Sequence, residues 1–189
     1  MRHLIASLFL LSGAEKRPFD ARDLRVDVLR LGAEVGAFEA RYPKTLCDRD
    51  PIDQRTRTVW FHAPRPCRDA DPLPNATILV LYTRSKAPSD PVEAIAWFGN
   101  WPHTGGNFPL DVGIKPSAAE PTLGPAKRLF DFAGIVDGGD QIVVSQHGAN
   151  VYTIARKGVV FGYVAGAMSA ERDREEWRGL ISNVLRYAR

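Results

Sequence analysis

The sequence predicts an α+β fold: an antiparallel sheet with short helices and a C-terminal amphipathic helix packed on one face. Three observations predict it. β-branched and aromatic runs of strand length recur, divided by Gly, Pro, Asn and Asp. The run ATILVLYT at 76–83 is apolar throughout, as in a strand covered on both faces. Near the end, Trp177, Leu180, Ile181, Val184 and Leu185 fall at helical spacing and form one stripe.

Taken in order, residues 24–31 alternate as a first strand and Gly32 follows. Residues 33–42 read as a short helix with Val35, Phe38 and Tyr42 on its apolar side, stopped by Pro43. The stretch 47–71 is Pro-rich and irregular, with one strand at 56–61. The strand at 76–83 has a hairpin partner at 92–98 across a turn rich in Pro, Ser and Asp. A linker follows at 99–108. Residues 110–114 read as a short strand, and 117–123 as a helix opened by a Ser117/Glu120 capping box. Four more strands are expected at 128–132, 141–146, 151–156 and 159–165, the last two joined by a tight Lys157-Gly158 turn. Ser169 is the expected N-cap of the final helix, with Glu171 and Asp173 near its positive end.

The first fourteen residues read as an export signal. Arg2-His3 precede the apolar run Leu4–Leu11, and Ser12-Gly13-Ala14 supply small residues for a cut after Ala14. The run is shorter than the ~20 residues a membrane span needs. No Cys follows it, so there is no thiol at that place for lipid attachment. The expected organisation is a signal peptide at 1–14 and one compact α+β unit at 15–189, with halves at 24–98 and 108–189 sharing a core. A periplasmic or secreted chain meets oxidising conditions, so Cys47 and Cys67 are expected to form a disulfide. Closing that loop adds about 3 kcal/mol in the chain-entropy description.

Composition narrows the partners. Lys and Arg number 25 against 22 Asp and Glu, a net charge of +3, but the signs are interspersed and no basic run occurs. Nucleic acid is therefore not an expected partner. No other stretch is long and apolar enough for a membrane span in the mature chain. Zinc has no second Cys pair and no spaced His pair to hold it. Asp48, Asp50, Asp53, Asp137 and Asp140 do not match a twelve-residue calcium loop, so no metal or cofactor is expected.

Catalytic patterns are sparse. Neither a Gly-x-Ser-x-Gly elbow nor a phosphate-binding Gly-rich loop occurs. His62, His103 and His147 are expected in loops, partly exposed or hydrogen-bonded. Cys47, His147 and Asn150 follow a papain-like order, which supplies the alternative reading of a small periplasmic Cys/His hydrolase. The aromatic linker offers the candidate binding residues Trp101, His103 and Phe108. Trp combines a large apolar face with a polar edge, and packing in the core is the competing role for such residues.

Two stretches share an order of strand, Gly, short helix and antiparallel strands: Leu29-Arg30-Leu31-Gly32 onward, and Leu110-Asp111-Val112-Gly113 to Leu123-Gly124-Pro125. This layout resembles small exported modules of the β-lactamase-inhibitor-protein and outer-membrane-assembly-lipoprotein types, arranged as a tandem pair. Leu123-Gly124-Pro125-Ala126 matches their Leu-Gly-x-Pro ending in part, and the first half has Tyr42-Pro43 there. Bacterial extracellular sensor-type domains show a second likeness in their paired strands and closing helix. The resemblance implies a binding module with a protein partner in the cell envelope, and it carries over no functional residue.

Overall fold

A computed structural model describes residues 17–41, 46–47, 56–61, 77–85, 87–99, 107–135, 139–148, 150–168 and 174–187. Asp20 caps a single 3-10 turn at Ala21–Asp23, its carboxylate accepting from the Arg22 backbone N–H at 2.9 Å. The strand expected over 24–31 is instead a small hairpin, β1 (Arg25–Val26) and β2 (Leu29–Arg30). Asp27 turns the chain with φ 51, a conformation that Asp and Asn tolerate better than most residues. The first helix, α1 (Val35–Arg41), begins against the loop at Pro88 and Asp90: Val35 N–H donates to Asp90 O at 3.0 Å and Gly36 N–H to Pro88 O at 2.7 Å. Those carbonyls satisfy donors that a helix start leaves open. Glycine is needed at 36 because a Cβ there would lie 2.8 Å from Pro88 O.

Among the described residues the main sheet has eight strands. In the first half these are β3 (Leu46–Cys47), β4 (Thr56–Phe61), β5 (Thr77–Tyr82) and β6 (Ala94–Phe98). In the second they are β7 (Ala126–Phe132), β8 (Ile142–His147), β9 (Val151–Arg156) and β10 (Val159–Gly166). The spatial order is β3-β4-β5-β6-β10-β9-β8-β7, with every neighbour antiparallel. The Lys157-Gly158 turn between β9 and β10 has φ 53 and 76, the two positive values that a primed hairpin turn needs.

The second half opens with α2 (Pro116–Leu123). The expected strand at 110–114 is absent. The segment turns at Val112-Gly113 and makes its backbone exchange with β10 there, Gly113 N–H donating to Val160 O and Val160 N–H to Ile114 O, at 2.7 and 2.8 Å. The Ser117/Glu120 capping box is also corrected. Pro116 opens the helix, Lys115 stands at the N-cap, and no side chain bonds there. Proline suits the first helical position because its fixed φ is helical and its missing N–H would have had no helical acceptor.

Alternation divides the core into two layers. Leu79, Leu81, Ile95, Trp97, Val151 and Tyr163 face α1 and α2, which contribute Val35, Phe38, Ala119 and Leu123. Ile78, Val80, Ala96, Val144, Tyr152, Ile154 and Val164 face α3 (Arg174–Tyr187). As its spacing predicts, α3 buries Trp177, Leu180, Ile181, Val184 and Leu185 on this second face. Five such side chains contribute on the order of 10 kcal/mol of gross transfer free energy. The expected helix start at Ser169 lies outside the described residues.

At the outer edge, β7 carries exposed Lys127 and Arg128 and a register shift between Arg128 and Phe130. Arg174 donates to the Asp131 carbonyl at 2.7 Å. Charge, irregularity and an occupied carbonyl all discourage another strand from adding there.

Candidate functional site

The sequence-predicted residues do not converge. Phe108 is 9% exposed, and its ring lies edge-on to Phe19, Trp97 and Tyr163 with centroids 5.2, 4.6 and 4.8 Å away. Trp97 and Tyr163, directly opposite in register, stack at 5.4 Å. The aromatic density around the linker thus continues into the core at Phe108, whereas Trp101 and His103 lie outside the described residues. So do His62, Cys67, Asp48, Asp50, Asp53 and Asp137. Cys47 pairs with Thr58 on β3, and its expected disulfide depends on a residue outside the described set.

His147 departs from its expected loop setting. It ends β8, fully buried, with Nδ1 2.9 Å from Gly124 O and Nε2 3.1 Å from Thr153 Oγ1. A carbonyl only accepts, so Nδ1 carries the proton; in the neutral ring Nε2 then accepts from the Thr153 hydroxyl. Both nitrogens are engaged in tying the end of α2 to β8 and β9. Cys47 and His147 stand on strands six places apart in the sheet. At the usual strand spacing that is about 29 Å, too far for a nucleophile and its base.

Asp140, expected as a turn residue, is bound by Arg156 at 2.9 and 2.7 Å and lies 3.4 Å from Lys157. Those hydrogen bonds, Arg156's first, hold its carboxyl below the ordinary carboxylate range. Tyr152 and Tyr163 are buried and donate to the carbonyls of Met168 and Asp111. Burial raises both phenols, and Asp111 adds to the effect on Tyr163.

One concave site is assembled by the fold rather than by any sequence motif. A cleft of about 340 Å³ is lined by Asp20, Ala21, Arg22, Leu31, Glu93, Asn150, Gly166 and Ala167. It lies where the first 3-10 turn meets the end of β10. Gly166 N–H donates to Asn150 O at 2.9 Å, and Ala167 N–H to Glu93 O at 3.0 Å. Within it, Arg22 folds back onto Asp20 with contacts of 2.6 to 3.2 Å. This side-chain bonding holds the Asp20 carboxyl down at about 2. Asp20 is therefore an ionised acceptor at neutral pH, unsuited to giving or taking protons there. Glu93 accepts from Arg84 at 3.2 Å. Among the described residues the lining offers carboxylates, an amide and a guanidinium, which can hydrogen-bond a polar ligand, and no hydroxyl, thiol or imidazole. Among the described residues no group of three His, Cys, Asp or Glu could hold a metal ion, and no helix is long and apolar enough to cross a membrane.

Sequence reasoning missed the His147–Thr153 tie and this cleft. Comparison with protein-family models, with curated proteins and with solved structures finds no match to the chain.

Proposed function

We propose that this chain is an exported binding module that works without catalysis, with a protein partner in the cell envelope. The observation that carries the reading is the commitment of His147. This histidine, which the papain-like order would require as a base, has both ring nitrogens engaged inside the core and lies about six strand spacings from Cys47. Export is supported by the apolar run Leu4–Leu11 and the small residues before the expected cut. The tandem layout of a short helix before an antiparallel meander also suits the exported modules that the sequence resembles.

The test is recovery of the chain from a Gram-negative host after fractionation. The expected product is periplasmic or secreted, begins at Glu15 and has no titratable thiol. Intact Met1 on cytosolic protein with both thiols free would overturn export. Envelope cross-linking with wild type and Trp101→Ala then asks whether the aromatic linker takes part in recognition. An unchanged set of partners would remove the linker from that role.

A further inference from the structure

We infer that the two halves are copies of one module, a Gly-turn, a short helix and a four-stranded meander, joined edge to edge about a pseudo-twofold axis between Ala96 and Val164. The sheet order reads outward from the β6–β10 seam as β6-β5-β4-β3 on one side and β10-β9-β8-β7 on the other. Seam partners run from Phe98↔Gly162 through Ala96↔Val164 to Ala94↔Gly166. Matching each β6 residue to the one 68 places later in β10 maps this set of pairs onto itself: Ala94 corresponds to Gly162, Ala96 to Val164 and Phe98 to Gly166.

Bonds outside that ladder obey the same rule. Gly32 N–H donates to Val92 O and Val92 N–H to Ala33 O, at 2.8 and 2.9 Å. In the second half Gly113 and Ile114 make the same exchange with Val160, which is 68 residues after Val92. Across the seam, Gly99 N–H donates to Phe161 O and Ala167 N–H to Glu93 O, two bonds that the axis interchanges.

Following the ladders outward leaves no freedom. Leu79↔Trp97 answers Val151↔Ala165, Val59↔Leu79 answers His147↔Val151, and Leu46↔Val59 answers Ala126↔His147. Leu46 thereby matches Ala126, and one further residue of offset brings Gly32 onto Gly113. These two glycines have φ 78 and 87. The same offset aligns Leu29 with Leu110, Ala37 with Ala118 and Glu39 with Glu120. The seam ladder places the axis, and the exchange at Val92 and Val160 and the match of Gly32 to Gly113, which were not used to place it, agree with it.

The axis also separates shared frame from later addition. Among the described residues α3 has no counterpart. His147 and Thr153 stand where the first half has Val59 and Leu81, so the polar tie is not a need of the module. The cleft beside Glu93 and Gly166 maps onto Phe161 and Phe98, whose rings lie 5.7 Å apart. Features particular to this chain are therefore concentrated in α3, the tie and the cleft.

The test is a graft within the full-length chain. In one variant, residues 29–41 are replaced by a copy of 110–122, which keeps Gly at 32, with Val35 and Gly36 retained for their bonds to Asp90 and Pro88. In a second they are replaced by a copy of 109–121, with Val35 and Gly36 again retained, which moves the Gly of 32 to 33 and rotates the rest of the helix stripe. Cooperative thermal unfolding is expected to survive in the first and to be lost in the second. Equal behaviour of two folded grafts would overturn the inference. If neither folds, an experimental structure of the wild-type chain decides. Residues 29–98 must superpose on 110–166 by a half-turn with the pairs above in register, and any other rotation or register refutes the duplication.

Discussion

Replacing His147 by leucine keeps roughly the volume of the side chain and removes both of its hydrogen bonds. The Gly124 carbonyl and the Thr153 hydroxyl, the latter 1% exposed, then lose these partners. A buried polar group left unsatisfied costs about 1–3 kcal/mol, so the single variant should lose about 2–5 kcal/mol. That is a large share of the 5–15 kcal/mol that typically separates folded from unfolded chains. Adding Thr153→Val removes one orphan together with its need for a partner, and the double variant should recover about 1–2 kcal/mol relative to the sum of the singles. Urea unfolding followed by circular dichroism and by fluorescence of buried Trp97 and Trp177 measures all four corners of the cycle. A loss below about 1 kcal/mol for His147→Leu, or strict additivity with Thr153→Val, would refute the claim that the imidazole ties α2 to the sheet.

Three further outcomes follow from the geometry. Gly166→Ala should abolish cooperative folding or cost at least about 3 kcal/mol, because a Cβ would lie 2.4 Å from Glu93 O and 2.6 Å from Ala94 Cα at φ 120. Gly139→Ala, at φ 73 with nothing within 4 Å, should cost only about 1–2 kcal/mol in the same denaturant titration. Asp20 has a folded pKa near 2, below its ordinary 3.8, so its stabilisation is full above about pH 4 and fades as pH falls through 2. Asp20→Asn should flatten the stability profile over that window by less than about 1 kcal/mol, since the Arg22 partner is largely exposed; NMR titration of the carboxyl reads the pKa directly. Leu180→Ala, in the buried stripe of α3, should cost about 2–5 kcal/mol by thermal or chemical unfolding, whereas Arg178→Ala on the exposed side should stay within about 0.5 kcal/mol.

Strands were legible where composition and turn chemistry agree. The spans 56–61 and 151–156 are read residue for residue, and the Lys157-Gly158 turn follows from glycine's freedom at positive φ. The stripe of α3 was legible because five apolar residues share one helical face. Alternation alone misled twice. Residues 24–31 alternate, yet Asp27 turns them into a hairpin. Residues 110–114 alternate, yet the backbone bonds to the sheet only around Gly113. The β6–β10 seam was hidden because burial on both faces says that a strand is central but not which strand lies beside it. His147 precedes Gly148 and reads locally as a loop residue. Its partners are 23 and 6 residues away, so only the assembled sheet shows that it is buried. The cleft draws on Asp20, Glu93, Asn150 and Gly166, which no spacing rule connects.

The two faces of the seam solve the same packing problem in opposite ways. On the α3 side four of the six seam residues are small, Ala94, Ala96, Gly162 and Gly166, beside Val164 opposite Ala96 and Phe98 opposite Gly162. A Cβ at Gly162 would lie 2.4 Å from the Phe98 ring, so the missing side chain makes room for the aromatic one. The large side chains of α3, Trp177, Leu180, Ile181, Val184 and Leu185, share that layer with residues of both halves. Among the described residues the other side has two short helices, one beginning at the loop before β6 and the other near β9. Here the seam supplies the bulk itself, through Ile95, Trp97 and Tyr163, and Phe108 and Phe19 close over them. A pseudo-symmetric sheet thus acquires two unlike faces. The difference follows from the size of the side chains at the seam and from the presence of α3 on only one side.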